Sequence, residues 1–237
     1  MKYSVIDNRG CVIPNITAEH QMAKQKQGVL IWEWPIRVWH WLLVFAVTTA
    51  LVTGLIPDLD LMNVHTWAGM TVVALLVFRL IWGFLGGTYT KLRHYFTTPQ
   101  QFVNHFRGLN NPAAHTSPGI VLAVSLLLAL AVQSGAGLFT TDDVLTDGPL
   151  VQFVDDDAVE FASDIHDHGW KFVVVLIGIH LSAQLIYGVF LRNPIALAMF
   201  TGRKRLALPK TTFATWKALL IYVVSGLIFG LLLFYSR

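Results

Sequence analysis

The stretch IHDHGWKFVVVLIGIHLSAQLIYGVFL, residues 165–191, decides how the rest of the chain is read. From Phe172 to Leu191 it carries no Asp, Glu, Lys or Arg. A helix needs about 20 mostly apolar residues to cross about 30 Å of hydrocarbon, and this run supplies them. Its histidines are the informative part. His166 and His180 are fourteen residues apart, so their rings project within about 40° of one helix face and stand about 21 Å apart along the axis. His168 lies about 120° away from His180 and is the weaker partner. Ionisable side chains inside membrane helices are functional candidates by default.

Four further segments have the same character. Val38 to Pro57 and Leu61 to Phe78 are free of charged residues, the second pattern continuing through Arg79 to about Gly86. Gly108 to Thr141 is also free of them, with its helical core expected over Pro118 to Phe139, and Ala218 to Ser236 closes the chain. Pro35 and Pro118 suit the first turn of a helix, where a missing N–H is not needed. Composition agrees: 54% of the 237 residues are hydrophobic and 13% charged, against roughly 25% charged in soluble chains. Mean hydropathy is +0.57. So few charges could not cover a soluble fold of this size, and nothing points to nucleic acid. The chain reads as an all-α integral membrane protein with five crossings. The polar residues 1–28 lack a signal-peptide core and are expected to be retained as a cytoplasmic segment. One cysteine, Cys11, excludes an internal disulfide, an iron–sulfur cluster and a covalent C-x-x-C-H haem site.

The charges set the expected topology. Fifteen of the seventeen basic residues fall on one side: in 1–37, near Arg79 and in 91–107, and in 192–217. Lys171 and Arg237 are the two exceptions. The positive-inside rule then places the N-terminus in the cytoplasm and the C-terminus outside the inner membrane, as five crossings require. The opposite side is acidic, with Asp58 and Asp60 in one connection. The second connection, 142–164, holds Asp142, Asp143, Asp147, Asp155, Asp156, Asp157, Glu160 and Asp164 and no Lys or Arg. Such a loop is either a solvated topology signal or a landing surface for a basic partner, which raises encounter rates at low salt.

Depth pairs the histidines. His40 and His180 lie toward the cytoplasmic side, His65 and His166 toward the outer side. Two bis-histidine sites, one per leaflet, follow if the first, second and fourth spans are neighbours. Two imidazoles on opposite faces of a planar ring hold b-type haem iron six-coordinate, which favours electron transfer over oxygen binding. Arg37, one turn before His40, and Arg79, fourteen residues after His65, could neutralise propionates at the inner site; topology and snorkelling are the plainer reading of both. A divalent-metal site is a rival use of the histidines. So is a haem-free transporter or an anchor subunit built on the same His and Arg residues. Gly69, Gly135, Gly137 and Gly178 could let a flat macrocycle approach the backbone, although glycine is common in membrane packing. His20, His94, His105 and His115 are expected to be ordinary surface residues.

Several stretches together resemble a known family: Trp34-Pro35-Ile36-Arg37-Val38-Trp39-His40-Trp41, His65 with Gly69, and Arg79-Leu80-Ile81-Trp82-Gly83-Phe84. Further on are His115-Thr116-Ser117-Pro118-Gly119, Gly137-Leu138-Phe139 with Asp142-Asp143, Ile165-His166 with His180, and Thr201-Gly202-Arg203-Lys204. In this order the chain is similar, over about 29–206, to the bacterial di-haem cytochrome b (b-561 type) family that includes the nickel–iron hydrogenase cytochrome b subunits. The resemblance implies a four-helix haem-binding bundle, with helices at about 35–57, 61–86, 118–139 and 165–191, followed by an additional membrane helix in 207–237. It implies two non-covalent b haems on His40, His65, His166 and His180. It also implies electron traffic between the quinone or quinol pool and a periplasmic redox partner, a c-type cytochrome or hydrogenase-like enzyme docking on 142–164. No catalytic residue is assigned; the chain is an electron-transfer subunit whose quinone oxidoreductase activity, alone or with a partner, stays open. The fifth helix contains no His and departs from the family pattern, so it is expected to be peripheral.

Overall fold

A computed structural model of the chain describes residues 4–6, 12–14, 29–56, 61–109, 116–141, 146–190, 196–204 and 209–236. Cys11, His20, Asp58, Asp60, His115, Asp142, Asp143, Arg192 and Arg237 lie outside the described residues. The described helices are α1 (Trp34–Leu55), α2 (Met62–Leu85), α3 (Pro99–Phe106), α4 (Ser117–Ala136), α5 (Asp156–Leu185), α6 (Leu197–Thr201) and α7 (Thr215–Tyr235). Five of them, α1, α2, α4, α5 and α7, are long and apolar enough to cross a membrane. Short antiparallel pairs join β1 (Ser4–Ile6) to β2 (Val12–Pro14) and β3 (Val29–Leu30) to β4 (Arg203–Lys204).

The neighbours are α1 on α2, α4 on α5, and α2 on both α4 and α7. Thus α2 is the central helix, and its Phe78, Trp82 and Met70 are among the most deeply buried side chains. Phe45, Leu128, Phe172 and Leu227 point outward and are exposed. So much bare apolar surface would be a liability in water and is the ordinary exterior of a bundle in lipid.

The fourth span begins earlier than its apolar run. The acidic stretch, read from sequence as loop, turns helical at Asp156, and α5 runs for 30 residues. Asp155 caps it, its carboxylate accepting from the Ala158 N–H at 2.9 Å. Asp156 and Asp157 in the first turn favour the positive end of the helix dipole. At 1.5 Å per residue the helix is about 45 Å long, so its acidic first turns project beyond a hydrocarbon core of about 30 Å. Its other end widens into a π-helical turn, Ile186–Phe190.

The fifth helix docks on the outside of α2. The Tyr222 ring stacks on Phe78 at 4.2 Å between centroids, and its hydroxyl donates to the Pro35 carbonyl at 2.9 Å. Ala218, Ile221 and Ser225 are buried beneath it. At the start of α1, the Ile31 and Trp32 N–H groups both donate to the Gly202 carbonyl. Gly202 sits in the left-handed region at φ 74°, and a Cβ there would come within 2.6 Å of the Trp32 carbonyl oxygen. Only glycine meets both demands.

Candidate functional site

The end of the bundle where α5 projects is acidic, and His65 and His166 meet just inside it. Their ring centroids are 5.9 Å apart, with the planes at 87°. His65 donates from Nδ1 to the Ala50 carbonyl at 2.9 Å. His166 donates from Nδ1 to the Gln133 carbonyl at 3.0 Å. The Gln133 amide returns the contact, donating to the His166 carbonyl at 2.8 Å. Backbone anchors on Nδ1 fix each ring's orientation and tautomer and leave Nε2 as the free nitrogen, the usual preparation of a metal-binding imidazole. Imidazole–metal bonds of about 2 Å on either side of one metal would set two ring centroids about 6 Å apart.

Two glycines make room for these rings. A Cβ on Gly54 would fall 2.7 Å from His65 Cε1, and one on Gly137 would fall 2.7 Å from His166 Cε1. Around the pair is a cavity of about 370 Å³, lined among others by Leu51, Gly69, Met70, Ser134 and Trp170. Gly69 and Gly135 have nothing within 4 Å of the position a Cβ would take. His168 is elsewhere: it pairs with Asp164 at 3.3 Å, both side chains exposed.

The other end carries the basic residues. His40 and His180 come within electrostatic range of each other, but no hydrogen bond anchors His40, whose Nδ1 is buried without a partner among the described residues. Arg79 is 4% exposed. Its guanidinium lies over the Tyr95 ring at 4.7 Å and the Trp39 ring at 5.9 Å. Neither Nη1 nor Nη2 has an acceptor among the described residues. A buried, unpaired cation is costly, so this geometry suits an anionic group. Arg37 faces a different way: its Nη1 donates to the Phe200 carbonyl on α6.

Three features were not found from sequence. Glu33 is wholly buried and accepts from Trp82 Nε1 at 3.0 Å, the Gly87 N–H at 3.1 Å and Thr90 Oγ1 at 2.6 Å. Thr211 Oγ1 approaches its other oxygen at 3.5 Å. This carboxylate ties the entry of α1 to the exit of α2 and the approach to α7; a lone Glu in an apolar lead-in was its only sequence signal. Gln133, which braces His166, carried none. His105 is not an ordinary surface residue, because its Nε2 is 2.7 Å from the Tyr187 hydroxyl on the π-helical turn.

A multi-pass helical bundle that brings two backbone-anchored imidazoles together has the donor set that a planar, metal-centred cofactor would need. Among the described residues no group of three or more His, Cys, Asp or Glu could hold a metal ion, whereas two imidazoles suffice for a haem. The chain belongs to the prokaryotic cytochrome b561 family, whose family model matches residues 31–202. It is therefore a membrane b-type cytochrome, a haem protein of electron transfer in a bacterial membrane. The matched range ends before α7.

The chain is 22% identical over 225 residues to a probable Ni/Fe-hydrogenase B-type cytochrome subunit of Rhodobacter capsulatus, covering 76% of this chain and 83% of that one. It is 27% identical over 90 residues to the subunit of the same name from Rhizobium leguminosarum bv. viciae, covering 31% of this chain and 38% of that relative's length. A probable Ni/Fe-hydrogenase 1 B-type cytochrome subunit of Escherichia coli K12 is 31% identical over 77 residues, 26% of this chain and 33% of that one. No solved structure matches the chain.

Proposed function

We propose that this cytochrome carries electrons between the membrane quinone pool and a redox protein at its acidic end, through two non-covalent b haems. His65 and His166 hold one haem, and His40 and His180 hold the other. The observation that carries the reading is the pair of Nδ1 anchors at His65 and His166, which leaves two Nε2 atoms free at the 370 Å³ cavity. When bound, such haems would supply one-electron carriers. The residues do the rest. Ala50 and Gln133 orient the outer imidazoles, Gly54 and Gly137 admit them, and Arg79, whose Nη1 and Nη2 have no acceptor among the described residues, would hold a propionate at the inner site. Trp39 and Tyr95 cover that guanidinium and keep water from it.

Residues 29–206 form the haem-binding unit, and 207–237 add a helix that buttresses α2. The N-terminus and the basic end lie in the cytoplasm and the C-terminus in the periplasm, as the distribution of Lys and Arg favours. At the acidic end the exposed Asp155, Asp156, Asp157 and Glu160 lie between the exposed Phe153 and Phe161 in the sequence. A basic redox protein with an apolar contact fits this surface. The relatives' names point to a hydrogenase, and a c-type cytochrome has the same requirements.

The test is a reduced-minus-oxidised spectrum of purified protein with haem counted per chain. Two b haems are expected. Replacing His65 or His166 by Ala should remove one, and replacing His40 or His180 by Ala should remove the other. Full haem content in all four variants would sink the assignment. A colourless protein from cells with ample haem would favour ion transport instead.

A further inference from the structure

The connection between α2 and α4 builds a surface of its own at the basic end of the bundle. It opens with a 3₁₀ turn, Leu92–Tyr95, and continues into α3. At 100° per residue Pro99, Phe102, Val103 and Phe106 fall within an arc of about 100°, and Gln100, Gln101, Asn104 and His105 fall opposite. A helix of 8 residues is marginal by itself, yet this one is well held. Thr98 and Gln101 form a reciprocal capping box, and His105 Nε2 lies 2.7 Å from the Tyr187 hydroxyl. The apolar face is nevertheless bare. Val103 is 42% exposed and Phe106 72%, with Phe96 at 81% just before the helix and Leu109 at 67% just after it. Basic side chains frame this strip: Lys91 and Arg93 precede it and Arg107 follows, both arginines exposed. No Asp or Glu occurs from residue 61 to 141, or from 172 to 191. So α4, on which the turn and α3 rest, and the adjoining end of α5 offer these cations no carboxylate. Among the described residues the one carboxylate at this end is Glu33, which is wholly buried among its own donors.

We propose that this turn and helix form an interfacial platform that binds acidic phospholipids of the adjoining leaflet. The inference is independent of the haem reading. Both ends of the connection are tied to membrane spans, which holds it at the level of the headgroups. An amphipathic helix at that level lies in the interface plane, with its apolar side chains in the acyl boundary and its charges at the headgroups. Phe102, Val103 and Phe106 supply the apolar part, and Lys91, Arg93 and Arg107 supply the charge. Each Lys or Arg near an anionic surface adds about fivefold to the affinity. A zwitterionic headgroup neutralises its own phosphate, so the cations select lipids of net negative charge. An acidic soluble protein could meet the same cations, but it would have to displace acyl chains from Phe96, Phe106 and Leu109, which lipid covers without being ordered.

The test mixes the full chain in detergent with equal amounts of phosphatidylglycerol and phosphatidylcholine, and counts the lipid retained after gel filtration by mass spectrometry. Phosphatidylglycerol should be retained roughly tenfold over phosphatidylcholine. The preference should collapse in about 1 M salt, where the Debye length is about 3 Å. Arg93→Gln combined with Arg107→Gln should lower phosphatidylglycerol retention roughly twentyfold, two factors of about five. Phe106→Ser should lower retention of both lipids, and Lys171→Gln at the acidic end should change neither. Equal retention of the two lipids, full phosphatidylglycerol retention by the double arginine variant, or an equal loss in Lys171→Gln would overturn the proposal. So would displacement by inorganic phosphate, or a loss in the arginine variant with none in Phe106→Ser, because either result marks a bare anion site rather than a lipid platform.

Discussion

The two ends of the bundle solve the same problem differently. At the acidic end both imidazoles are held by backbone carbonyls of neighbouring helices, at 2.9 and 3.0 Å, and two glycines are spaced to receive them. At the basic end His40 lacks any such anchor, and the buried Arg79 has two nitrogens without an acceptor among the described residues. The acidic site is organised by hydrogen bonds within the chain. At the basic end the hydrogen bonds hold the helices rather than the imidazole: Glu33 fastens the helix ends, and Trp39 donates to the Leu75 carbonyl at 2.7 Å to lock α1 on α2. Anchored ligands lose little freedom on binding, whereas a buried unpaired cation gains most when an anion arrives. If each end holds a haem as proposed, the acidic site holds it by geometry and the basic site by electrostatics.

The largest expected effect breaks the geometry. Gly137→Val pushes side-chain carbon onto His166, and Gly54→Val does the same to His65, so each should remove the acidic-end haem and leave the basic-end haem in place. Gly226→Val, at an exposed position with open space, is the control and should lose neither. Haem counting with resolved α-band spectra decides it.

Next comes the clamp at the other end. Glu33→Ala strands the four donors of Trp82, Gly87, Thr90 and Thr211 in a buried site and should cost about 2–4 kcal/mol. Thermal unfolding in detergent should show the loss, with the basic-end haem released first. Glu33→Gln, which keeps an acceptor oxygen, should cost about half as much. Equal loss of both haems in Glu33→Ala would mean that the two ends are not independent.

Arg79→Met sharpens the contrast because its sign should reverse with loading. Without haem, removing an unpaired buried cation raises the unfolding temperature; with haem it lowers it and shifts the inner potential downward by on the order of 50 mV. A variant that is destabilised in both forms would remove Arg79 from the propionate role.

The smallest effect is a pH dependence outside the spans. Burial, with Arg93 and Lys91 nearby, holds the His94 pKa below its ordinary 6.5. The folded chain therefore resists protonation more than the unfolded chain, and stability falls as pH drops below about 6.5. His94→Gln should flatten that slope slightly in melts at pH 7.5 and 5.5.

The five apolar helices, the depth of each histidine and the division into a basic and an acidic end could all be read from the sequence. Each depends on local composition or on helical spacing within one segment, and a bilayer permits few other solutions. The start of α5 was misread because acidic residues resemble loop by composition; at a helix N-terminus the same charges cap the helix. Tertiary structure alone decided which carbonyl each imidazole takes, since Ala50 lies on α1 and Gln133 on α4, far along the chain from the rings they hold. It also turned Arg37 toward α6 and left Nη1 and Nη2 of Arg79 without an acceptor among the described residues, although helical spacing puts each arginine on the face of a histidine. Glu33 was invisible for the same reason. Its donors come from Trp82, Gly87, Thr90 and Thr211, and a carboxylate reveals its partners only once the helices that carry them have packed.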